Sequence, residues 1–596
     1  MTNDVTGSLE SDQIAVIVRE WLQAFAAVAQ SDGLTGLPDI VAEDSWWRDL
    51  LAFSGDLRTC HGPAAMREVL AAQVASAGLS KVELDMDPPA QLIRVDDDTQ
   101  WIEALWRFET TAARCRGVVR LVPSGDGRWL AWTVLTAVDE FKMGEPLGGQ
   151  RRPTGHEFER ADGPTWLEDR NHAREFVDED PVVVVVGAGQ GGLAIAAQLG
   201  VLGISTLVID KNPRIGDNWR NRYRSLILHD PVWADHMPYL PFPECWPIYT
   251  PKDKLADWLE SYASAMELNV WTGASLLDSG YDEARGVWSV SIRKSDGSER
   301  ILAPRHVILA TGAVGGPVVP DLPGMDEFRG HIAHSSAHGS GEGSAGQRVV
   351  VIGTGNSGHD IAQDFCENGA DVTMVQRSAT YVMSQEHGIP TVFGALYYEG
   401  GPATDVADLL NASYPYPVII DFGRAQTPRI AELDRDLLDG LERVGFALDM
   451  GIEDGGLMGK ALHRAGGYYI DVGCSRLIAE GKIKVKSGVG IERITQDGLT
   501  LADGTVLPAD VIILATGFSN MRETARTLFG DSVADRCGLV WDLDDEGEIK
   551  TLWKRSGHPG FWFMGGSLLA ARINSKYLAL QIQSIEMGLT PKVPVA

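Results

Sequence analysis

The sequence contains no C-x-x-C or C-x4-C pair, and its only six cysteines stand far apart, at positions 60, 115, 245, 366, 474 and 537. That spacing offers neither a redox dithiol nor a metal-ligand set, so no metal is expected and the thiols read as reduced and cytosolic. Positive charge is also scarce. There are 52 Lys and Arg residues against 82 Asp and Glu, a formal net charge of −30. Such a balance argues against nucleic acid and anionic membrane surfaces as partners and favours solubility. The N-terminus, with Asp4, Glu10 and Asp12, has no basic segment followed by an apolar one, so no signal peptide is read there and the expected location is cytoplasmic. One uncharged stretch, Pro181 to Ile209, has 29 residues, long enough to span a bilayer. It holds six glycines and two glutamines, and strand, loop, helix and strand explain it better.

What the sequence does have is two glycine-rich loops 166 residues apart: Gly187-Ala188-Gly189-Gln190-Gly191-Gly192 and Gly353-Thr354-Gly355-Asn356-Ser357-Gly358. Both fit G-x-G-x-x-G, and each follows an apolar run, Val182 to Val186 and Val349 to Ile352. Glycines at this spacing permit a tight turn and let the backbone approach a pyrophosphate at a helix N-terminus. One such loop is weak evidence; two in strand-loop-helix context point to two bound dinucleotides. The strand after the first loop ends in Asp210, 18 residues beyond Gly192, where an acid bonds ribose hydroxyls and repels a 2′-phosphate. That site suits FAD or NAD. The strand after the second loop ends in Arg377, 19 residues beyond Gly358, where a guanidinium suits the 2′-phosphate of NADP. The competing reading of Arg377 is a surface residue at a strand end.

At 596 residues the chain suggests about three domains. The expected fold class is α/β: two nested Rossmann-like dinucleotide-binding domains preceded by a small α+β cone-like domain. The expected bounds are 1–142 for the α+β domain, 143–180 for a linker rich in Gly, Pro, Arg and Glu, and 181–345 for the first part of the first nucleotide domain. The second nucleotide domain with an insertion takes 346–480, and the first resumes at 481–596. In the N-terminal part, helical periodicity runs from Ile14 to Ala29 and a second helix fits Gly62 to Ala77. Strand-like segments follow at Ala90–Val95, Gln100–Thr110, Cys115–Pro123 and Trp129–Val138, with Gly125-Asp126-Gly127 as a hairpin signal. Together with Trp46 to Phe53, this order resembles the SnoaL-like cone fold. Asp49, Asp56 and His61 are then candidate pocket residues, beside the alternative of a docking or dimerisation module. Two near copies, Val307 to Gly312 and Val511 to Gly517, each end a buried strand in Ala-Thr-Gly where the chain crosses between nucleotide domains.

Further motifs carry a family resemblance. Phe328-Arg329-Gly330-His331-Ile332-Ala333-His334 fits F-x-G-x-x-x-H, between Ala-Thr-Gly and the second loop. Gly216-Asp217-Asn218-Trp219, Tyr223-Arg224-Ser225-Leu226, Pro241-Phe242-Pro243 with Tyr249, and Gly355 to Ala362 extend the match. Over residues 180–590 the chain resembles class B flavin-containing monooxygenases, nearest the bacterial relatives of plant indole-3-pyruvate monooxygenases. The resemblance implies that NADPH reduces FAD, that oxygen adds at flavin C4a, and that the resulting hydroperoxide oxygenates a small nucleophile in a dry site. It departs at His338, where the family's fingerprint ends in Tyr, Phe or Trp. Ser378 to Gly423 contains no arginine, which weakens a Baeyer–Villiger reading.

On that resemblance the cofactor-binding candidates are Gly187, Gly189, Gly192, Asp210, Asn218 and Trp219 for FAD. For NADPH they are Gly353, Gly355, Asn356, Ser357, Gly358 and Arg377, with Thr516 and Gly517 at the second crossing. His229, Asn356 and His334 are the catalytic candidates. His229 takes the place of the asparagine that the family sets near C4a, or is a loop histidine satisfied by backbone. His334 fits the shaping of the domain interface better than proton transfer. Trp219, Trp233 and Trp246 fit core or isoalloxazine packing. Arg424, Arg429 and Arg572 are candidates for a substrate carboxylate, or solvated surface cations. The functions in competition are N- or S-oxygenation of an amine, amino acid or sulfide, oxidative decarboxylation of a 2-oxo acid, Baeyer–Villiger oxidation, a disulfide reductase without its dithiol, and a non-catalytic flavoprotein sensor. The partners implied are a small-molecule substrate and molecular oxygen, with a homodimer as a further possibility.

Overall fold

A computed structural model of the chain describes residues 9–96, 99–158, 162–312 and 315–591. Asp4, used above against a signal peptide, lies outside them. The N-terminal unit opens with α1 (Ser11–Ala29), started by a reciprocal cap in which the Glu10 N–H donates to Gln13 at 3.0 Å. Its buried stripe is Ile14, Val18, Trp21, Leu22 and Phe25, as the periodicity requires. β1 (Val41–Leu50) and β2 (Leu57–His61) follow, then α2 (Gly62–Ala77), which ends at left-handed Gly78. β3 (Ser80–Leu84), β4 (Gln91–Arg94), β5 (Gln100–Glu109), β6 (Ala113–Pro123) and β7 (Trp129–Phe141) complete a sheet in the order β2-β1-β7-β6-β5-β3, with β4 on β5. The interior is full: Phe25, Trp47, Trp106 and Phe108 are all buried and make edge or stacked ring pairs. The Trp106 ring lies flat on β6 at Gly117, where a Cβ would collide with it.

The stretch expected as a plain linker contains α3 (Trp166–Glu175), whose Thr165–Glu168 capping box satisfies its first turn. The first nucleotide unit then begins with β8 (Val183–Val186), α4 (Gln190–Val201), β9 (Thr206–Asp210), a short α5 (Asp217–Arg220), α6 (Lys252–Ala265) and β10 (Asn269–Thr272). An antiparallel excursion of β11 (Ser275–Asp282), β12 (Val287–Arg293) and β13 (Glu299–Leu302) leads to β14 (His306–Leu309).

The chain then enters a second parallel sheet. It is built from β15 (His331–His334), β16 (Arg348–Ile352), α7 (Asn356–Glu367) and β17 (Asp371–Gln376). An insertion follows: β18 (Tyr381–Ser384), α8 (Gln385–Phe393), α9 (Thr404–Ala412), α10 (Tyr416–Leu433), α11 (Arg435–Arg443), α12 (Gly456–Arg464), β19 (Tyr468–Asp471) and α13 (Cys474–Ala479). β20 (Ile483–Ser487), the small antiparallel set β21 (Ile491–Thr495), β22 (Gly498–Leu501) and β23 (Val506–Pro508), and then β24 (Val511–Leu514) finish the layer, in the order β15-β24-β16-β17-β20. After α14 (Met521–Phe529) and α15 (Asp531–Ala534), β25 (Phe561–Phe563) returns to the first sheet, whose order is β10-β9-β8-β14-β25. α16 (Leu568–Glu586) closes the fold against α4.

Every pairing within these two five-stranded sheets is parallel, and β8, β14, β24 and β25 are buried on both faces, whereas the edge strands β15 and β20 are partly exposed. The architecture is mixed α/β. The expected bounds at 346 and 480 cut this second layer, because β15 precedes the first and β20 and β24 follow the second. The reason is the crossing itself: β14 and β24 are sequential near copies, yet each belongs to a different sheet.

Candidate functional site at two glycine loops

Both loops stand between a strand of a parallel sheet and the helix that follows it. β8 leads through Gly187 (φ 114°) to α4, and β16 leads through Gly353 (φ 115°) to α7. The outer glycines are required by the protein's own packing. A Cβ on Gly187 would lie 2.5 Å from the Ala310 carbonyl oxygen, and one on Gly353 would collide with that of Ala515. The two Ala-Thr-Gly strands therefore do the same work, each pressing a carbonyl against its own loop. Gly192 and Gly358 are closed in the same way by the carbonyls of Gly187 and Gly353.

The middle glycines differ. A Cβ on Gly189 would meet only Asn218 Nδ2 at 3.2 Å, and one on Gly355 only the Tyr468 carbonyl oxygen at 3.9 Å. Packing leaves a Cβ room at Gly355 and crowds one at Gly189 only against the Asn218 amide; a ligand that needs the bare backbone accounts for both glycines. Neither α4 nor α7 has a side-chain cap, so the first N–H groups of both helices are free for such a ligand. The residues present thus fit a pyrophosphate at each loop.

The strand ends discriminate between the loops. Asp210 closes β9 and accepts from Ala188 N–H at 2.7 Å and Asn212 N–H at 2.8 Å, which fixes the carboxylate beside the loop. Arg377 follows β17, exposed, with no protein partner among the described residues. Trp219 donates to Gln190 Oε1 at 3.3 Å, and Gln190 Nε2 donates to the Gly566 carbonyl at 3.1 Å, so the first turn of α4 is tied to the chain just before α16.

His334 ends β15, with Nε2 3.0 Å from the Gly517 carbonyl and Nδ1 2.9 Å from Ser336 Oγ. Burial pushes its imidazole below the usual range. It binds the end of β15 to the segment after β24, alongside Thr516, whose hydroxyl donates to Val318 O at 2.6 Å. Asn356 is also engaged: its Oδ1 accepts from Ile470 N–H of β19 at 3.0 Å. Ser357 is half-buried in the first turn of α7. His338 Nε2 lies 2.8 Å from Asp364 Oδ2, locked against α7.

His229 lies in the segment between α5 and α6, half-buried, and its carbonyl accepts from Gln385 Nε2 of α8 at 3.3 Å. Burial holds its imidazole down to about 4, so the ring is neutral at physiological pH. The sequence reading missed what surrounds it. Asp230, next in the chain, is pushed up to about 6 by burial. Its charge adds to the burial that raises the hydroxyls of Tyr468 and Tyr249, and to the burial that raises Asp235. Asp235 Oδ1 is buried without a partner, and its carboxyl faces the Leu569 N–H at the start of α16. Tyr468 is the residue whose carbonyl faces Gly355. The His229–Asp235 segment therefore runs from the second loop to the helix beside the first. Its contacts lie at positions 468 and 569, far along the chain, and no local pattern links them.

Of the three arginines expected to hold a substrate carboxylate, two are engaged by the protein's own groups, and Arg429 has no protein partner among the described residues. Arg572 is buried and spent: Nε and Nη2 hold Asp408 at 2.7 Å each, and Nη1 donates to the carbonyls of Ala234 and His236. Arg424 is exposed and engaged by Glu453 and Asp421, and Arg429 is exposed on α10. In the N-terminal unit Asp49 serves structure. It accepts from Ser54 N–H at 2.8 Å, Ser54 Oγ at 2.7 Å and Thr136 Oγ1 at 2.6 Å. Asp56 accepts from the Leu57 N–H at 2.8 Å, and His61 stacks on Trp46. Among the described residues no group of His, Cys, Asp and Glu is placed to hold a metal ion, and no helix is long and apolar enough to cross a membrane.

The profile of the family described as pyridine nucleotide-disulphide oxidoreductase matches residues 184–388, which carry both loops. The chain is similar to an indole-3-pyruvate monooxygenase of Oryza sativa subsp. japonica, 33% identical over 342 residues, covering 57% of this chain and 77% of the relative. It is similar to a probable indole-3-pyruvate monooxygenase of Arabidopsis thaliana, 31% identical over 369 residues, covering 60% and 80%. A solved flavin-containing monooxygenase from Stenotrophomonas maltophilia overlaps 68% of this chain and 98% of its own at 20% identity and a TM-score of 0.46.

Proposed function

The chain belongs to the flavin-containing monooxygenase family and is an oxidoreductase, and on that premise we propose that it is an NADPH-dependent FAD monooxygenase oxygenating a small nucleophile at nitrogen or sulfur. The observation that carries the reading is the pair of middle glycines: a Cβ has room at Gly355, and at Gly189 it is crowded only by the Asn218 amide, at 3.2 Å. In this reading Gly187, Gly189, Gly192, Asp210, Asn218 and Trp219 hold FAD. Gly353, Gly355, Ser357, Gly358 and Arg377 hold NADPH. When bound, the flavin accepts hydride and activates oxygen; the protein's own groups bind, orient and keep the site dry.

The substrate class follows from electrostatics. The centre between the loops offers the carboxyls of Asp230 and Asp235, while Arg572 and Arg424 are engaged by carboxylates of their own. An ammonium or a neutral amine finds an acceptor there, whereas an incoming carboxylate would meet like charge. Asp230, raised to about 6, can take the amine's proton and leave the nitrogen nucleophilic. His229 supplies a neutral hydrogen-bonding ring beside it. A second reading, oxidative decarboxylation of a 2-oxo acid, is favoured by the names of the plant relatives; it requires a carboxylate anchor other than Arg424 and Arg572. The disulfide-reductase reading lacks its dithiol: all six cysteines are free, and four of them are buried.

Stopped-flow spectroscopy of NADPH-reduced protein mixed with oxygen tests the reading. A species distinct from reduced and oxidised flavin, lasting seconds or longer with NADP bound, supports it. Direct reoxidation without such a species makes the protein an oxidase or reductase instead.

A further inference from the structure

Away from the glycine loops, a cavity of about 390 Å³ opens where the N-terminal sheet meets α4, α9 and α16. That volume suits a small molecule, and an interface between structural units is a common place for one. Arg116 of β6 and Asp139 of β7 line it from the N-terminal unit, Asp405 from the first turn of α9, Lys576 from α16, and His236 from the segment after Asp235.

These groups keep unused hydrogen-bonding capacity of both signs. Arg116 spends one N–H, on Asp405 at 3.3 Å, of the five a guanidinium carries. Lys576 spends one of three, on Asp139 Oδ1 at 2.6 Å. His236 is 8% exposed; its Nε2 meets Thr404 Oγ1 at 3.2 Å while its Nδ1 is buried without a partner. Asp139 Oδ2 and most of the Asp405 carboxylate are likewise open. Arg572, by contrast, is saturated and closes the wall.

Charge selects the ligand. Arg116, Lys576 and Arg572 face Asp139, Asp405 and Asp408, so the lining is balanced. A simple anion or a simple cation would add an uncompensated charge to this balanced, partly exposed lining. A zwitterion adds none, and it can use both kinds of free valence. Met237, Leu409 and Tyr577 give the rest of the wall an apolar character. We propose that this cavity binds a free apolar α-amino acid, its carboxylate on Arg116 and Lys576 and its ammonium on Asp405 and Asp139.

The site stands apart from the first loop. Gln198, on its wall, lies eight residues along α4 from Gln190, about 12 Å by helical rise. Arg572 connects the two, since it binds the carbonyls of Ala234 and His236 on either side of Asp235. Occupancy is therefore expected to perturb the absorption of bound flavin.

Calorimetric titration of the oxidised, flavin-loaded protein without NADPH tests this independently of turnover. A panel of apolar L-amino acids is titrated, each beside its amine and its carboxylic acid. At least one amino acid is expected to bind tenfold or more tightly than both half-ligands and to give a flavin difference spectrum. Arg116→Gln and Asp405→Asn, which keep the flavin, are each expected to weaken it by about tenfold or more, the effect of one charge-assisted contact. No isotherm at millimolar amino acid, equal binding of a half-ligand, or wild-type affinity in both variants would overturn the proposal.

Discussion

Arg377 is the residue on which coenzyme choice rests. It is exposed at the end of β17 with no protein partner among the described residues, and Asp210 occupies the corresponding place in the first sheet. Loss of one charge-assisted contact to a 2′-phosphate costs about 1.5–3 kcal/mol, ten- to a hundredfold in affinity. Arg377→Ala is expected to raise the Michaelis constant for NADPH by that factor and leave the NADH value nearly unchanged; equal loss for both coenzymes makes the arginine structural. Asp360, on α7, allows a test of burial. Its carboxyl accepts from the Tyr223 hydroxyl, yet desolvation outweighs that bond and raises it to about 6 from 3.8. A raised folded-state value means that its stabilising contribution is greatest below 3.8 and is lost as pH rises through 6. Asp360→Asn removes that loss. The stability of the variant relative to wild type is expected to grow by up to ~2 kcal/mol between about pH 4.5 and about pH 7.5, read from urea midpoints. A pH-independent difference contradicts the assignment.

At the scale of elements, the two roles of glycine in one loop separate by experiment. Gly187 is left-handed and pressed on the Ala310 carbonyl, so Gly187→Ala strains the turn itself and is expected to lower thermal stability. Gly189 has an ordinary φ of −77° and a Cβ there meets only the Asn218 amide, at 3.2 Å, so Gly189→Ala is expected to fold with a small shift of Asn218 and to lose flavin. Absorbance after purification and a melting curve read the two effects; full flavin in the Gly189 variant would remove the pyrophosphate from that loop. These strand-loop-helix units were legible in the sequence because period, glycine spacing and the acid or arginine at the strand end all point one way. α2 falls on Gly62–Ala77, where the sequence set it. β1 was not read, since Trp46, Trp47, Arg48 and Asp49 show no alternation. It is an inner strand whose Arg48 is buried against Glu548, far along the chain, and whose Asp49 is held by Ser54 and Thr136. The carboxylates beside His229 were hidden for the same reason: α16 and β19 bury them, hundreds of residues away.

In the whole molecule, the N-terminal unit is bolted to the rest through two buried arginines. Arg48 holds Glu548 through Nε and Nη2 at 2.7 and 2.8 Å and donates to the Ala412 carbonyl at 2.7 Å. Arg120 holds Glu103 at 2.8 Å and Ser413 Oγ at 2.8 Å, with the Tyr414 ring 3.4 Å from its guanidinium carbon. Both grip the turn between α9 and α10, and α10 packs on α8, whose Gln385 bonds the His229 carbonyl. Arg48→Met leaves Glu548 buried without its partner and is expected to cost about 3–5 kcal/mol, while Arg48→Met with Glu548→Leu recovers most of it. Thermal unfolding of the single and double variants checks this; additive losses would contradict it. The filled interior of this unit accounts for the failure of Asp49 as a pocket residue, and it leaves ligand capacity at the unit's borders. The central claim is that reduced flavin in this protein delivers oxygen to a nucleophile held between the loops. Turnover with NADPH under isotopically labelled oxygen, across a panel of amines, sulfides, 2-oxo acids and ketones, tests it most directly. The account predicts one labelled oxygen atom in an N- or S-oxygenated product for each NADPH consumed. NADPH consumption with all the label in hydrogen peroxide or water, whatever the substrate, would contradict it.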